Sequence, residues 1–503
     1  MTTQHRELQD QLFPPDTQST VGYPPLVERF FVWLSQISQA PLFVPMSLLA
    51  ITVAGACLRL YKLGDWSFWG DEMFTVSGEE DGFNYSLLRK SLSLTLIQMF
   101  TASNGVNEWN ARIIPALIGI ASIPILFWVV KRMADTPTAL LFSLLLALSP
   151  WHLYWSQNAR FYVALLLFYS LALLFFYLGT EKDNLWYLVI SLFFLGLAVK
   201  ERLLALFFLP VALVYLLLIP ILSFEKPRAW RFRNLAIFIL PGLVGGFLFA
   251  GPYLLDLPGW FTGFGYANNN PLWLAGGFAY YVGLPIICLG GAGGLYLLMH
   301  KSRAGLLLSV SAVLPPLLLT AVSSFHYTAN RYAFVSLTSW LLLSAVALST
   351  LIRKTTRRGL VLSLGGLFVV LVSFTGDDAM YYFRQNGNRD DWRGAFAYVQ
   401  EHQQIGDKVF SGNSQLADYY LAAETTPFNG IQVSELGPAT GRSWFVEDAT
   451  SVIRFSDLHA WLSENAQLVS IHDVYFQARN YSMRVYLYDP AWGFVTGRPD
   501  GSR

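Results

Sequence analysis

The sequence predicts an α-helical polytopic membrane protein carrying a small C-terminal α/β domain on the outer face. Three observations predict it. Only 13% of the 503 residues are charged, against roughly 25% in soluble domains. Long apolar runs recur as far as residue 376. From Asp377 onward the runs shorten and polar residues interleave with apolar ones.

A run of about 20 apolar residues is long enough to cross the hydrocarbon core as a helix. Such runs lie near 42–60, 111–130, 138–155, 161–180, 185–199, 203–222, 235–254, 275–298, 305–322, 333–352 and 359–376, which makes about eleven spans. The pair 138–155 and 161–180 is the hardest to divide, since only Ser156–Arg160 separates them. Residues 1–40 form a tail and an interfacial helix. Up to residue 24 they are polar and rich in Gln and Pro, unlike a cleavable signal peptide. Leu26, Val27, Phe30, Phe31, Leu34 and Ile37 then recur at helical spacing. The membrane domain is expected over 41–376, with an outer loop over 61–110. Cys57 and Cys288 both fall inside predicted spans, so there is no disulfide framework.

Basic residues set the expected orientation, because short cytoplasmic loops are enriched in Lys and Arg. With the N-terminus inside, the inner loops hold Lys131 and Arg132, Lys182, the group Lys226, Arg228, Arg231 and Arg233, then Lys301 and Arg303, and finally Arg353, Lys354, Arg357 and Arg358. An odd number of spans then places 377–503 outside. That tail reads as a small α/β domain. Trp392, Phe396 and Val399 mark one amphipathic helix, and Leu458, Trp461, Leu462 and Asn465 a second. Strand-like pieces lie near 407–411, 443–447, 468–476 and 483–488.

The outer loop contains "LGDWSFWGDEMFTVSG", in which Asp71 and Glu72 adjoin behind Trp66, Phe68 and Trp69. Adjacent residues of a helix do not face the same way. One carboxylate is therefore expected to serve a site and the other a structural partner or a metal. The plainer reading of the pair is acidic charge suited to a helix N-terminus. The predicted outer surface also carries Glu108, Arg112, His152, Gln157, Arg160, Lys200, Arg202, His326 and Arg331. Taken singly, each fits an interfacial anchor. As a set, Arg160, Lys200, Arg202 and Arg331 lie on the face that the basic-residue rule disfavours, and a bound phosphate would account for them. Gly290, Gly291, Gly293 and Gly294 lie inside an apolar span, which points to close helix packing rather than a phosphate loop. His152 and His326 lack helical ligand spacing, and a divalent metal stays open. No nucleic-acid partner is expected.

Several stretches carry a family resemblance. After the first span comes "SFWGDEMFTV", then "NEWNARIIPALIGIASIPILFWVVKRM" leading into the second. "LSPWHLYWSQNARFY" precedes the fourth, "NRYAFVSL" opens the tenth, and "DDWRGAFAYVQEHQQIGDKVF" lies in the tail. In order and position these resemble the C-type membrane glycosyltransferases, specifically the bacterial relatives of the protein O-mannosyltransferases and the lipid A aminoarabinose transferase. The resemblance covers nearly the whole chain. It implies a polyprenyl-phosphate sugar donor, an outer-face active site in a bacterial cytoplasmic membrane, inversion at the anomeric carbon, and a glycan, lipid or protein acceptor. Asp71, beside Glu72, takes the position of the catalytic acidic residue. Where some relatives carry a His-Tyr element after the fifth span, this chain reads "VKERLL", so Lys200 or Arg202 is expected to replace it.

The chemistry fits those residue types. A hydroxyl is a poor nucleophile at neutral pH, and a carboxylate that takes its proton contributes roughly 10²–10⁴-fold. A departing lipid phosphate needs charge stabilisation more than a proton. The expected donor-phosphate residues are Arg160, Arg331, Lys200 and Arg202, with Glu108, Arg112, Gln157, Tyr162 and His326 in support. Two other classes compete, a polytopic transporter and a non-catalytic scaffold with a partner-binding tail. Against a transporter, the span centres are almost free of charge.

Overall fold

A computed structural model describes residues 42–78, 90–228, 240, 243–244, 271–324, 326–353, 357–421, 425–437, 440–472 and 482–492. The expected interfacial helix before residue 42 and the expected span 235–254 lie outside the described residues, apart from three positions of the latter. The chain forms two compact units. The first comprises Met1–Tyr61, Tyr85–Leu96 and Ile113–Asp377, and the second Lys62–Asn84, Ile97–Arg112 and Asp378–Arg503.

The first unit is helical. Among the described residues, seven helices are long and apolar enough to cross a membrane, or up to nine if each of two bent pairs is one span. The seven are α1 (Phe43–Leu60), α4 (Glu108–Met133), α7 (Tyr162–Lys182), α9 (Leu203–Ile221), α12 (Arg303–Val322), α13 (Asn330–Arg353) and α14, which runs from Arg357 to Phe383. The bent pairs are α5 (Thr136–Leu148) with α6 (Pro150–Ser156), at 58°, and α10 (Pro271–Val282) with α11 (Leu284–Met299), at 91°. The expected span 185–199 falls on α8, Leu185–Glu201, whose 17 residues leave it outside that set. The chain is an integral membrane protein.

Both bends have local causes. Pro150 cannot continue the α5 hydrogen-bond ladder, so α6 restarts with Ser149 as its cap. Between α10 and α11 the turn is made at Gly283, whose φ of 91° suits only glycine, and Pro285 follows in the first turn of α11. Helix α7 is apolar all round and is almost wholly buried. The helices of this unit approach one another through small and hydroxyl residues. A methyl on Gly179 would stand 2.6 Å from Leu188 of α8, and one on Gly293 would stand 2.2 Å from the Leu343 carbonyl of α13. The glycine-rich stretch of α11 is thus a packing face. Ser170 bonds Thr338 at 2.7 Å, and Thr138 bonds Ser349 at 2.8 Å, so α5 and α7 are both tied to α13.

The second unit contains a five-stranded sheet in the order β2-β1-β3-β5-β4. The strands are β1 (Lys408–Ser411), β2 (Thr426–Pro427), β3 (Ser443–Glu447), β4 (Gln467–His472) and β5 (Met483–Tyr488). β1 runs parallel to β2 and β3, while β3–β5 and β4–β5 are antiparallel. Phe410 pairs with Phe445 in register and stacks on it at 4.8 Å. Phe428, Leu458, Leu462, Tyr486 and Tyr488 complete that core. The helices are α2 (Gly70–Ser77), α3 (Leu92–Asn104, from residue 97), α15 (Trp392–His402), α16 (Ser414–Leu421), α17 (Ala449–Arg454) and α18 (Ser456–Asn465). Trp392, Phe396 and Val399 are the buried stripe of α15, and Asp391 caps it by accepting from the Gly394 N–H. Of the strand expected at 468–476, Gln467–His472 is observed, and the rest lies outside the described residues.

Candidate active site

The carboxylate pair belongs to the second unit. Helix α2 begins after an extended Trp69, whose side chain makes no capping hydrogen bond. Asp71 and Glu72 occupy its first turn, where their charge suits the helix dipole. Gly78, at φ 79°, ends it in the left-handed conformation. The two side chains differ sharply. Asp71 is half-buried, whereas Glu72 has no exposed surface.

Glu72 is gripped by Arg112. Nε donates to Oε1 at 2.8 Å and Nη2 to Oε2 at 2.7 Å. Arg389 adds a second guanidinium 3.6 Å from Oε2. The other N–H groups of Arg112 go to the carbonyls of Leu63 (3.2 Å), Trp66 (2.9 Å) and Ser67 (3.0 Å). Arg112 thus shapes the loop that leads into α2. Glu108, also buried, accepts from Arg393 at 2.5 Å and from the Tyr420 hydroxyl at 2.6 Å. Burial and the Glu108 carboxylate push the Tyr420 hydroxyl well above the usual phenol range. At the far end of α2, Gln98 donates to the Thr75 carbonyl at 2.7 Å.

The first unit holds the basic residues expected at the outer face. Arg160 is buried, and its guanidinium carbon lies 5.2 Å from the Phe161 ring centre. Arg202 lies 5.3 Å from the same ring. These two expected phosphate residues therefore converge on one aromatic side chain. Tyr162 packs on Phe161 at 4.4 Å and on Trp155 at 4.0 Å. Trp155 and Trp151 both reach Phe334, at 6.3 and 5.0 Å, three residues beyond Arg331. Arg331 lies 5.7 Å from the Tyr332 ring. Lys200 is half-exposed. In "VKERLL" the buried Glu201 turns to Ser91 and Ser93, accepting from the Ser93 amide (3.1 Å) and hydroxyl (2.6 Å), and so caps α3.

Other expected residues serve the scaffold. Gln157 donates to the carbonyls of Arg59 (3.0 Å) and Tyr61 (2.8 Å), closing the C-terminal end of α1. His152 is buried, and its Nδ1 receives Arg59 Nη2 at 2.8 Å, so the ring proton is assigned to Nε2. Arg59 also donates to the carbonyls of Ala147 (2.9 Å) and Leu146 (3.2 Å), groups that the Pro150 break leaves without helical partners. His326 is buried near the end of α12. Among the described residues, no group of three or more His, Cys, Asp or Glu side chains is placed to hold a metal ion.

Solved structures place the architecture. ArnT from Cupriavidus metallidurans in the apo state superposes at a TM-score of 0.54 and 13% identity, covering 88% of this chain and 98% of that one. The same protein bound to undecaprenyl phosphate gives 0.54 and 14%, covering 89% and 98%. The chain has the C-type membrane glycosyltransferase fold. The archaeal oligosaccharyltransferase AglB from Archaeoglobus fulgidus, in complex with an inhibitory peptide and a dolichol-phosphate, also matches, at 0.54 and 12%, covering 83% of this chain and 71% of that one. The family model for dolichyl-phosphate-mannose-protein mannosyltransferase matches residues 92–244. No curated protein matches the sequence.

Within the C-type fold, Arg389, Arg393 and Tyr420 escaped the sequence reading. They stand more than 270 residues from Glu72, Glu108 and Phe68, so no local pattern announces them. Asp390 and Arg393 do lie in "DDWRGAF", the tail stretch that carried the resemblance.

Proposed function

We infer that this chain is an inverting membrane glycosyltransferase that moves a sugar from a polyprenyl-phosphate donor to an acceptor hydroxyl at the outer membrane face. The observation that carries the reading is the division of labour between Asp71 and Glu72. Glu72 is consumed by the Arg112 fork, so of the two it is Asp71, half-buried at the start of α2, that suits proton transfer. The fold likeness to ArnT bound to undecaprenyl phosphate supports the donor class, and the family-model match supports sugar transfer.

In this mechanism Asp71 takes the proton of the acceptor hydroxyl as its oxygen bonds to the anomeric carbon. The bond from that carbon to the phosphate oxygen breaks on the opposite side, and its electron pair leaves with the phosphate. Attack opposite the leaving group inverts the centre. Arg160, Arg202, Arg331 and Lys200 are the groups assigned to the growing phosphate charge. The basic loops support an N-terminus in the cytoplasm and residues 377–503 outside. The test is incubation of purified protein in liposomes with labelled polyprenyl-phosphate sugars and hydroxyl acceptors. Transfer that disappears in Asp71→Asn supports the reading. Failure to transfer from any such donor overturns it.

A further inference from the structure

Within the second unit, the backbone that leads into α2 is held almost residue by residue by the C-terminal part of the chain. Lys62 donates to the Tyr382 carbonyl at 3.3 Å. Arg393 donates to the Asp65 carbonyl at 3.1 Å. The Trp66 ring lies against Gly387, where a methyl would stand 2.6 Å away. The Ser67 hydroxyl donates to the Asp390 carbonyl at 2.6 Å.

The contact nearest the helix start is the most constrained. The Phe68 N–H donates to the Tyr420 hydroxyl at 2.6 Å, and that hydroxyl donates onward to Glu108 at 2.6 Å. Glu108 opens α4, the helix that carries Arg112 one turn later. Helix α16 supplies the neighbouring Tyr419 too. Its ring meets Phe68 edge-on at 5.4 Å, and its hydroxyl donates to the Val106 carbonyl at 3.3 Å. The Trp69 carbonyl opens the α2 ladder by accepting from the Glu72 and Met73 amides, so the fixing of Phe68 and Ser67 just before it bears on the direction in which α2 sets out. Asp71 follows three residues later.

We propose that Tyr420 is a positioning residue for sugar transfer, accepting from the Phe68 amide and donating to Glu108 so that the backbone presenting Asp71 is fixed before the acceptor arrives. This rests on the reading of Asp71 as the base. A phenol suits the task because one hydroxyl both accepts and donates, and phenylalanine in its place fills the same space while leaving the Phe68 N–H and Glu108 unjoined. Preorganisation of this kind acts on the chemical step, since small misplacements of a reacting group lower turnover strongly.

The experiment compares full-length Tyr420→Phe with wild type in nanodiscs by two readouts. Hydrogen exchange of a peptide covering residues 62–73 is expected to speed by about tenfold or more, with α7 exchange unchanged. With a labelled polyprenyl-phosphate sugar, kcat is expected to fall on the order of ten- to a hundredfold, with the donor KM unchanged. Glu108→Ala should loosen the same peptide, and the double variant should be no looser than the worse single one. It also reads the same link if Tyr420→Phe cannot be recovered folded. Wild-type exchange over 62–73 in Tyr420→Phe overturns the positioning role, as does faster exchange with wild-type kcat. If wild-type protein transfers no sugar at all, the functional reading falls, and the exchange arm decides by itself whether Tyr420 holds the loop.

Discussion

Glu72 and Arg112 form a two-pronged ion pair in which neither side chain reaches solvent, with 2.8 Å from Nε to Oε1 and 2.7 Å from Nη2 to Oε2. The five N–H donors of Arg112 are all used, two on Glu72 and three on the carbonyls of Leu63, Trp66 and Ser67. A guanidinium so placed fixes a loop and a helix at once. It also separates the roles of two neighbouring carboxylates, one locked and one half-exposed.

Breaking that pair from one side should destabilise the protein. Glu72→Gln leaves Arg112 charged and buried with an incomplete partner, a change that costs about 3–5 kcal/mol in comparable buried pairs. Arg112→Lys should fare no better, because one ammonium cannot replace a fork serving four groups. Thermal unfolding in detergent reads this directly. Melting within a degree of wild type in both variants would show that the fork contributes little.

Asp71→Asn keeps size and polarity but removes the basic oxygen. Its side chain is not part of the Arg112 fork, so melting should stay near wild type. Turnover should fall by at least the roughly 10²-fold of a lost general base, with donor binding retained. Near-normal turnover at matched protein level would remove Asp71 from the mechanism and promote Glu108.

How much of this was legible in advance follows from range. Among the described residues, seven of the roughly eleven expected spans, or up to nine with the bent pairs, are helices long and apolar enough to cross a membrane, and they were readable because apolar composition runs through each; α4 and α7 match their predicted runs closely. β3 and β5 were readable as short apolar runs bounded by turn residues. The bend at Gly283 was not, since apolar composition continues through it and only a φ of 91° betrays it. Arg112 stood in the sequence as a support residue, but its grip on Glu72 spans 40 positions and no periodicity encodes it. The same holds for Arg59, read simply as part of the first span, whose task is to satisfy carbonyls freed at Pro150. Sequence patterns report burial and helical repeat. They do not report which distant carbonyl a buried guanidinium reaches.

Asp390 supplies a pH prediction. Its Oδ1 is buried with no hydrogen-bond partner among the described residues. Burial first, and then the neighbouring Asp448 carboxylate, push its carboxyl up to about 7 from an ordinary 3.8. Between those two values the folded chain holds a proton that the unfolded chain has lost, so stability declines as pH rises through this window. Above it the penalty is complete, on the order of a few kcal/mol at most. Asp390→Asn should therefore melt higher than wild type at pH 8, with the gap closing towards pH 4. An equal gap at both ends would rule out Asp390 as the titrating group.

Topology is open to reporter fusions. If the basic loops set orientation, fusions after Arg358 and at Arg503 should report opposite sides of the membrane. Same-side signals would mean that the number of spans differs from the expected odd count.

Arg160 and Arg202 lie 5.2 and 5.3 Å from the one Phe161 ring, which makes them a pair rather than two separate anchors. Their bland role is packing against that aromatic group, and packing alone would survive a change to lysine fairly well. A phosphate role would not, because the bidentate fork is lost. If one of them stabilises the departing phosphate, the loss should appear in turnover more than in donor affinity, since charge on the bridging oxygen grows in the transition state. At least one of Arg160→Lys, Arg202→Lys and Arg331→Lys should lower kcat by more than roughly tenfold, about 1.4 kcal/mol of barrier. Lys200→Met serves as the comparison, because a half-exposed lysine beside the locked Glu201 can contribute only point charge. Wild-type kinetics in all four variants, with normal expression, would remove the argument that the outer basic residues build a phosphate site.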